Sequence, residues 1–86
     1  MRLKVSEDSV VIGANLKALR RRHKMTQKDV AALLGVCFQQ VQKYENGKNR
    51  IPLEHIIALK QYWGVSYDDF FEGCADLSAR GEDAVL

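Results

Sequence analysis

Apolar residues recur at helical spacing along most of the chain. Between Val10 and Lys24, residues Val11, Ile12, Leu16 and Leu19 form one stripe. Ser9 stands where an N-cap belongs, so the pattern predicts a first helix over about Val10–His23. Thr26 with Asp29 three residues on is an acidic variant of the capping box, which opens a second helix over Gln27–Leu34. Its inward positions are Val30, Leu33 and Leu34, and the small Ala31 lets a neighbouring helix come close. Gly35 supplies the left-handed residue that ends a helix, and Val36 and Cys37 make the turn. A third helix follows over Phe38–Glu45 with Val41 and Tyr44 inward, and Asn46-Gly47 stops it. Pro52 opens a fourth helix that runs to Trp63 with Leu53, Ile56, Ile57, Leu59 and Trp63 apolar, and Gly64 closes it. Ser66 caps a short fifth helix, Tyr67–Phe71, whose Phe70 and Phe71 close the core. No run alternates with the period of two that a strand requires. The chain is therefore read as all-α: an N-terminal arm over 1–9, a helical domain over 10–71, and a mobile or loosely docked tail over 72–86.

The third helix has chemistry on its outward side. With Val41 and Tyr44 buried, Phe38, Gln39, Gln42 and Lys43 fall on or near the opposite face, with Gln40 at its edge. A glutamine can pair two-pronged with adenine, a lysine can donate to guanine, and an apolar ring can touch a thymine methyl. The two short helices around Gly35 would thus leave a polar, basic helix facing a major groove of double-stranded DNA. An ordinary solvated helix is the plainer alternative, and Phe38 can instead fold back as core. Phosphate donors are available on both sides of that helix. Gln27 stands at the head of the second helix, where backbone amides attract phosphate, and can also brace Gln39. Asn46, Lys48 and Arg50 form a loop on the other side. Arg20 shares a helix face with Leu16 and Leu19, so it is expected to be half-buried. A buried charge needs a partner, and Glu45 is the expected one.

The charge balance sharpens this picture. The net charge is only +2. Yet residues 1–50 hold eleven Lys and Arg against four acids, and residues 51–86 hold two against seven. One half carries +7 and the other −5, which suits one face for a polyanion and one turned away. A solvated charge run is the bland reading of the same asymmetry. The 86 residues, 47% hydrophobic, suffice for one small core. No apolar run approaches the roughly 18 residues of a membrane span, and the first residues lack the pattern of a signal peptide. A cytoplasmic protein is expected. Cys37 and Cys74 form no CxxC, and with only His23 and His55 beside them a metal site is not expected. Neither thiol is expected to form a disulfide in a reducing compartment. No cofactor or small-molecule ligand is implied.

The segments LKALRRRHKMTQKDVAALLGV, VQKYENGKNRIP and LKQYWGVSYDDFFEG resemble the Cro/C1-type (XRE) helix-turn-helix domain of phage and bacterial repressors. The resemblance covers about residues 12–71. It implies a compact five-helix, lambda-repressor-like DNA-binding domain that docks its third helix in the major groove. It also implies a homodimer spanning two half-sites of a palindromic operator about one helical turn, roughly 34 Å, apart. By position, the resemblance assigns Phe38, Gln39 and Lys43 to base reading and Gln27, Asn46, Lys48 and Arg50 to the DNA backbone. Arg20 and Glu45 match the family's arginine–glutamate ion pair. Many family members carry a small polar residue or an amide where Phe38 stands, which favours methyl contact or packing here. Tyr67, Phe70 and the tail are candidates for a dimer surface by position alone. Arg2 and Lys4 can form an arm along DNA, with a floppy N-terminus as the default.

Two classes of function follow. One is a sequence-specific transcription regulator, a repressor acting by occupancy. The other is an antitoxin-like or other protein-interaction module with secondary DNA binding, whose tail seizes a partner. An enzyme is not expected, because no nucleophile–base pair, carboxylate pair or phosphate-cradling glycine loop is visible.

Overall fold

Five helices wrap one apolar core in the computed structural model, which describes residues 5–74, with side chains from Glu7 onward. They are α1 (Val5–Arg22), α2 (Gln27–Leu34), α3 (Phe38–Glu45), α4 (Leu53–Trp63) and α5 (Tyr67–Phe71). The core consists of Leu16 and Leu19 from α1, Val30 and Ala31 from α2, and Val41 and Tyr44 from α3. Ile51, Ile56, Leu59, Trp63 and Phe70 complete it. No strand occurs among the described residues.

α1 starts five residues before Val10, so residues 5–9 belong to the helix and not to an arm. Ser9 is buried inside the helix and caps nothing. Glu7 and Asp8 in the first turn explain the earlier start, because acidic side chains there meet the positive end of the helix dipole. Arg2 and Lys4, and residues 75–86 of the tail, lie outside the described residues. At the start of the tail Glu72 and Gly73 are exposed and Cys74 is buried. Asn15 Nδ2 donates to the Phe70 and Glu72 carbonyls, at 2.7 and 2.8 Å, and ties the end of α5 to α1.

α1 ends without a glycine. Lys24 takes the left-handed conformation (φ 58°), while Met25 N–H bonds the Arg20 carbonyl and Lys24 N–H the Arg21 carbonyl. These two bonds make a Schellman cap. At α2 the capping box forms in full: Asp29 N–H donates to Thr26 Oγ1 at 3.0 Å and Thr26 N–H to Asp29 Oδ2 at 2.9 Å. Gly35 (φ 73°) ends α2. Ser66 and Asp69 form the same reciprocal cap on α5. Pro52 is the N-cap of α4, one residue ahead of its first turn.

Two burial expectations fail. Leu33 is exposed, because α2 turns Val30 and Ala31 inward and one turn of so short a helix faces outward. Phe70 is fully buried against Trp63, with ring centroids 6.4 Å apart, so it cannot serve as a surface for a second copy. Tyr67 is exposed and carries Lys60 Nζ over its ring at 4.9 Å.

Candidate nucleic-acid interface

α3 splits cleanly by side. Val41, Tyr44 and Glu45 are buried, and Gln39, Gln42 and Lys43 are exposed. The spacing causes this: positions 41, 44 and 45 share one face of a 3.6-residue helix, and 39, 42 and 43 lie around the other. Gln40 is half-buried at the edge. Phe38 is half-buried and packs against the core, so part of its ring is withdrawn from the outward face. Lys28 Nζ of α2 stands over that ring, 5.5 Å from its centroid.

What fixes α3 is a glycine and a buried polar knot. Gly13 of α1 lies against the end of α3: a Cβ there would collide with the Tyr44 carbonyl oxygen and come within 2.8 Å of the Glu45 carbonyl oxygen. Seven residues on, Arg20 Nε donates to Glu45 Oε2 at 2.6 Å and Arg20 Nη2 to Oε1 at 3.2 Å. Arg20 Nη1 donates to the Met25 carbonyl at 2.9 Å. Gln27 Nε2 donates to Glu45 Oε1 at 3.0 Å. The Glu45 carboxylate at the end of α3 therefore ties α1 and α2 together, and Arg20 extends the knot to the α1–α2 turn. No buried side-chain nitrogen or oxygen among the described residues lacks a partner, which is the condition under which a buried charge pair is tolerated. Gln27 braces Glu45 and not Gln39, because Glu45 faces the head of α2 while Gln39 points to solvent.

Beyond α3, the Lys48 and Asn49 N–H groups both fold back onto the Lys43 carbonyl, at 3.0 and 3.3 Å. Gly47 (φ 74°) makes this turn against α1, where a Cβ would lie 2.6 Å from Val10 Cγ2. The side chains of Asn46, Lys48, Asn49 and Arg50 all remain exposed. The sequence does not single out Lys28, which only the fold brings to Phe38.

Two titrating groups feel the local structure. The Thr26 N–H, and then its hydroxyl, hold the Asp29 carboxyl below its ordinary value. Burial pushes the Tyr44 phenol up, against a lowering contribution from Gln40; its hydroxyl lies 3.4 Å from His55 Nδ1. No group of three or more His, Cys, Asp or Glu among the described residues could hold a metal ion. None of the described helices is long and apolar enough to cross a membrane.

A helix-turn-helix family model matches residues 16–70, which takes in everything from the middle of α1 to α5. The chain is 37% identical over 76 residues to the antitoxin PezA of Streptococcus pneumoniae, covering 88% of this chain and 42% of that protein. It is 33% identical over 75 residues to the uncharacterized HTH-type transcriptional regulator y4aM of Sinorhizobium fredii, covering 87% of this chain and 52% of that one. The chain thus spans about half the length of the curated relatives it matches. Among solved structures it superposes on the restriction-modification controller protein C.AhdI from Aeromonas hydrophila with a TM-score of 0.67 and 26% identity. That superposition covers 76% of this chain and 98% of the controller. Five helices in this order, an outward polar α3 and the match over residues 16–70 converge: the chain belongs to the helix-turn-helix family of the Cro/C1 (XRE) type.

Proposed function

We propose that this chain is a sequence-specific transcription regulator, a repressor that lays α3 in the major groove of a palindromic operator as a homodimer in the bacterial cytoplasm. The observation that carries this reading is the outward display of Gln39, Gln42 and Lys43 on a helix whose other side is locked by Gly13 and the Arg20–Glu45 pair. A reading head is useful only if its backbone is fixed, since base discrimination depends on hydrogen-bond geometry. In this reading Gln39 and Lys43 take base edges, Gln42 stands beside them, and Phe38 offers its exposed edge to a thymine methyl. Asn46, Lys48 and Arg50 hold one backbone. The capping box uses the N–H groups of Thr26 and Asp29, which leaves those of Gln27 and Lys28 at the head of α2 for the other. The family is a DNA-binding regulator domain and not an enzyme class, and repression follows from occupancy.

Selection of bound sequences from a random DNA pool tests the proposal. The expected result is a two-fold symmetric consensus with half-site centres about 10 base pairs apart. An asymmetric consensus would rule out the palindromic dimer, and no enrichment would rule out sequence reading altogether. On the selected site Gln39→Ala is expected to cost about 1–3 kcal/mol of binding and little on random DNA. Lys48→Ala is expected to weaken both alike, as a phosphate contact does.

The similarity to PezA favours a second reading, an antitoxin-like module that binds a protein partner and DNA together. A stoichiometric complex with the product of a neighbouring gene, stable in salt that strips DNA, would support it. Absence of any such complex on co-expression would remove it.

A further inference from the structure

Lys28 and Phe38 form a contact between two helices at the head of α3. Lys28 is exposed on α2, and its ammonium stands 5.5 Å from the centre of the Phe38 ring. The ring packs against the core on one side and carries the cation on the other. Such an attraction at a wet site is weak. It is still enough to bias where a side chain with four rotatable carbons spends its time. The neighbouring acid does not compete for the charge. Asp29 turns its carboxylate to Thr26 N–H at 2.9 Å. Among the described residues, the salt bridge present joins Arg20 to Glu45, and no described acid pairs with Lys28. Phe38 also lies one helical turn before the exposed Gln42, on the row that borders the outward face. A positive charge is thus held beside the first turn of the helix meant for the groove, where a DNA strand flanking that groove must pass.

We propose that Lys28 is a further contact to the DNA backbone and that Phe38 is the positioning residue that holds it there. This inference rests on the docking of α3 proposed above. It gives the aromatic ring a task that neither methyl contact nor core packing supplies: Phe38 acts on phosphate through Lys28.

Salt dependence of binding to a mixed-sequence duplex of roughly 30 base pairs reads this directly, because each neutralised phosphate contributes about 0.9 to the slope of log K against log salt. Lys28→Gln is expected to reduce the slope by about that amount, or about eightfold in affinity across the decade from 1 M to 0.1 M salt. Lys28→Arg is expected to keep it. Phe38→Leu, which retains apolar bulk but removes the ring, is expected to lower the slope in the same direction, and Phe38→Tyr to preserve it. In the Lys28→Gln background, Phe38→Leu is expected to change the slope no further. Reduced folding of a Phe38 variant, followed by circular dichroism, scales the affinity but not the slope, so the two effects separate. An unchanged slope in Lys28→Gln, with a reduced slope in Lys48→Gln, would overturn the Lys28 contact and leave DNA docking standing. A reduced slope for Lys28→Gln with an unchanged one for Phe38→Leu would overturn the positioning role. Salt-independent or absent binding by the unaltered chain would overturn the docking itself.

Discussion

The α1–α3 seam and the α4–α5 seam hold their helices by different means. Between α1 and α3 the contact is backbone against a missing side chain at Gly13, followed by a directional polar knot around Glu45. Around α4 and α5 the packing is mainly apolar: Ile56, Leu59, Trp63 and Phe70 share the core, Trp63 stacks on Phe70, and His23 stacks on Trp63 with ring centroids 5.1 Å apart, while Asn15 adds hydrogen bonds to the end of α5. Trp63 Nε1 adds one bond to Met25 Sδ at 3.1 Å. Apolar burial is non-directional and tolerates small shifts. A forked arginine on a carboxylate, and a glycine pressed on a carbonyl, do not. The stiffer seam is the one that carries α3. Fixed orientation is concentrated at α3, the helix proposed above to present side chains to DNA, and the rest of the molecule supplies bulk stability.

Substitution can break this contrast most strongly at Glu45. Glu45→Ala strands the buried Arg20 guanidinium, with an expected loss of about 3–5 kcal/mol in urea unfolding. The double variant Arg20→Met, Glu45→Leu is expected to recover most of that stability, while sequence-selective binding stays impaired because the directional lock is gone. A loss below about 1 kcal/mol for the single variant would mean that the pair is not a buried lock. Gly13→Ala comes next. Its methyl meets backbone atoms that cannot rotate away, so the expected cost is about 1–3 kcal/mol, toward the upper end. Measured by thermal unfolding of a domain this size, each kcal/mol lowers the midpoint by about 4–8 °C. In the apolar seam, Ile56→Leu conserves volume and is expected to cost less than about 1.5 kcal/mol, with DNA affinity unchanged. A larger effect on binding than on stability at Ile56 would erase the distinction between the seams.

The smallest effect expected is one of pH. Asp29 carries a carboxyl held below its ordinary value of 3.8 by Thr26. Its folded value is depressed, so its stabilisation is present above the unfolded value and is lost as pH falls through the folded one, in the window below about pH 4. Asp29→Asn is expected to flatten that acid limb of a urea-midpoint profile and to lower the plateau above it. An acid limb of unchanged steepness would show that the cap does not couple to stability.

Much of the helix order could be read directly from the residues. The Thr26–Asp29 cap, Gly35, Gly64 and the Ser66 cap are local devices, formed by residues within one turn of each other, and local chemistry is visible in a linear string. The misreadings fall where the fold outweighs local signals. Ser9 is a good cap in isolation, yet Glu7 and Asp8 carry the helix past it. Lys24 ends α1 in a conformation that favours glycine, held by the Met25 and Lys24 N–H bonds and by the packing of Met25 under Trp63. Leu33 is apolar and exposed because only part of an eight-residue helix can face the core.

The sequence alone determined the number and order of the helices, the outward Gln39, Gln42 and Lys43 (though not Phe38, read with them and half-buried by the fold), and the charge difference between the halves. Periodicity and capping act within a few residues, so they need no third dimension. Only the tertiary structure decided that Gln27 serves Glu45, that Gly13 gives α3 its seat, and that Lys28 comes to lie over Phe38. Those contacts join residues 10 to 32 positions apart, and their geometry depends on how the core sets one helix against the next.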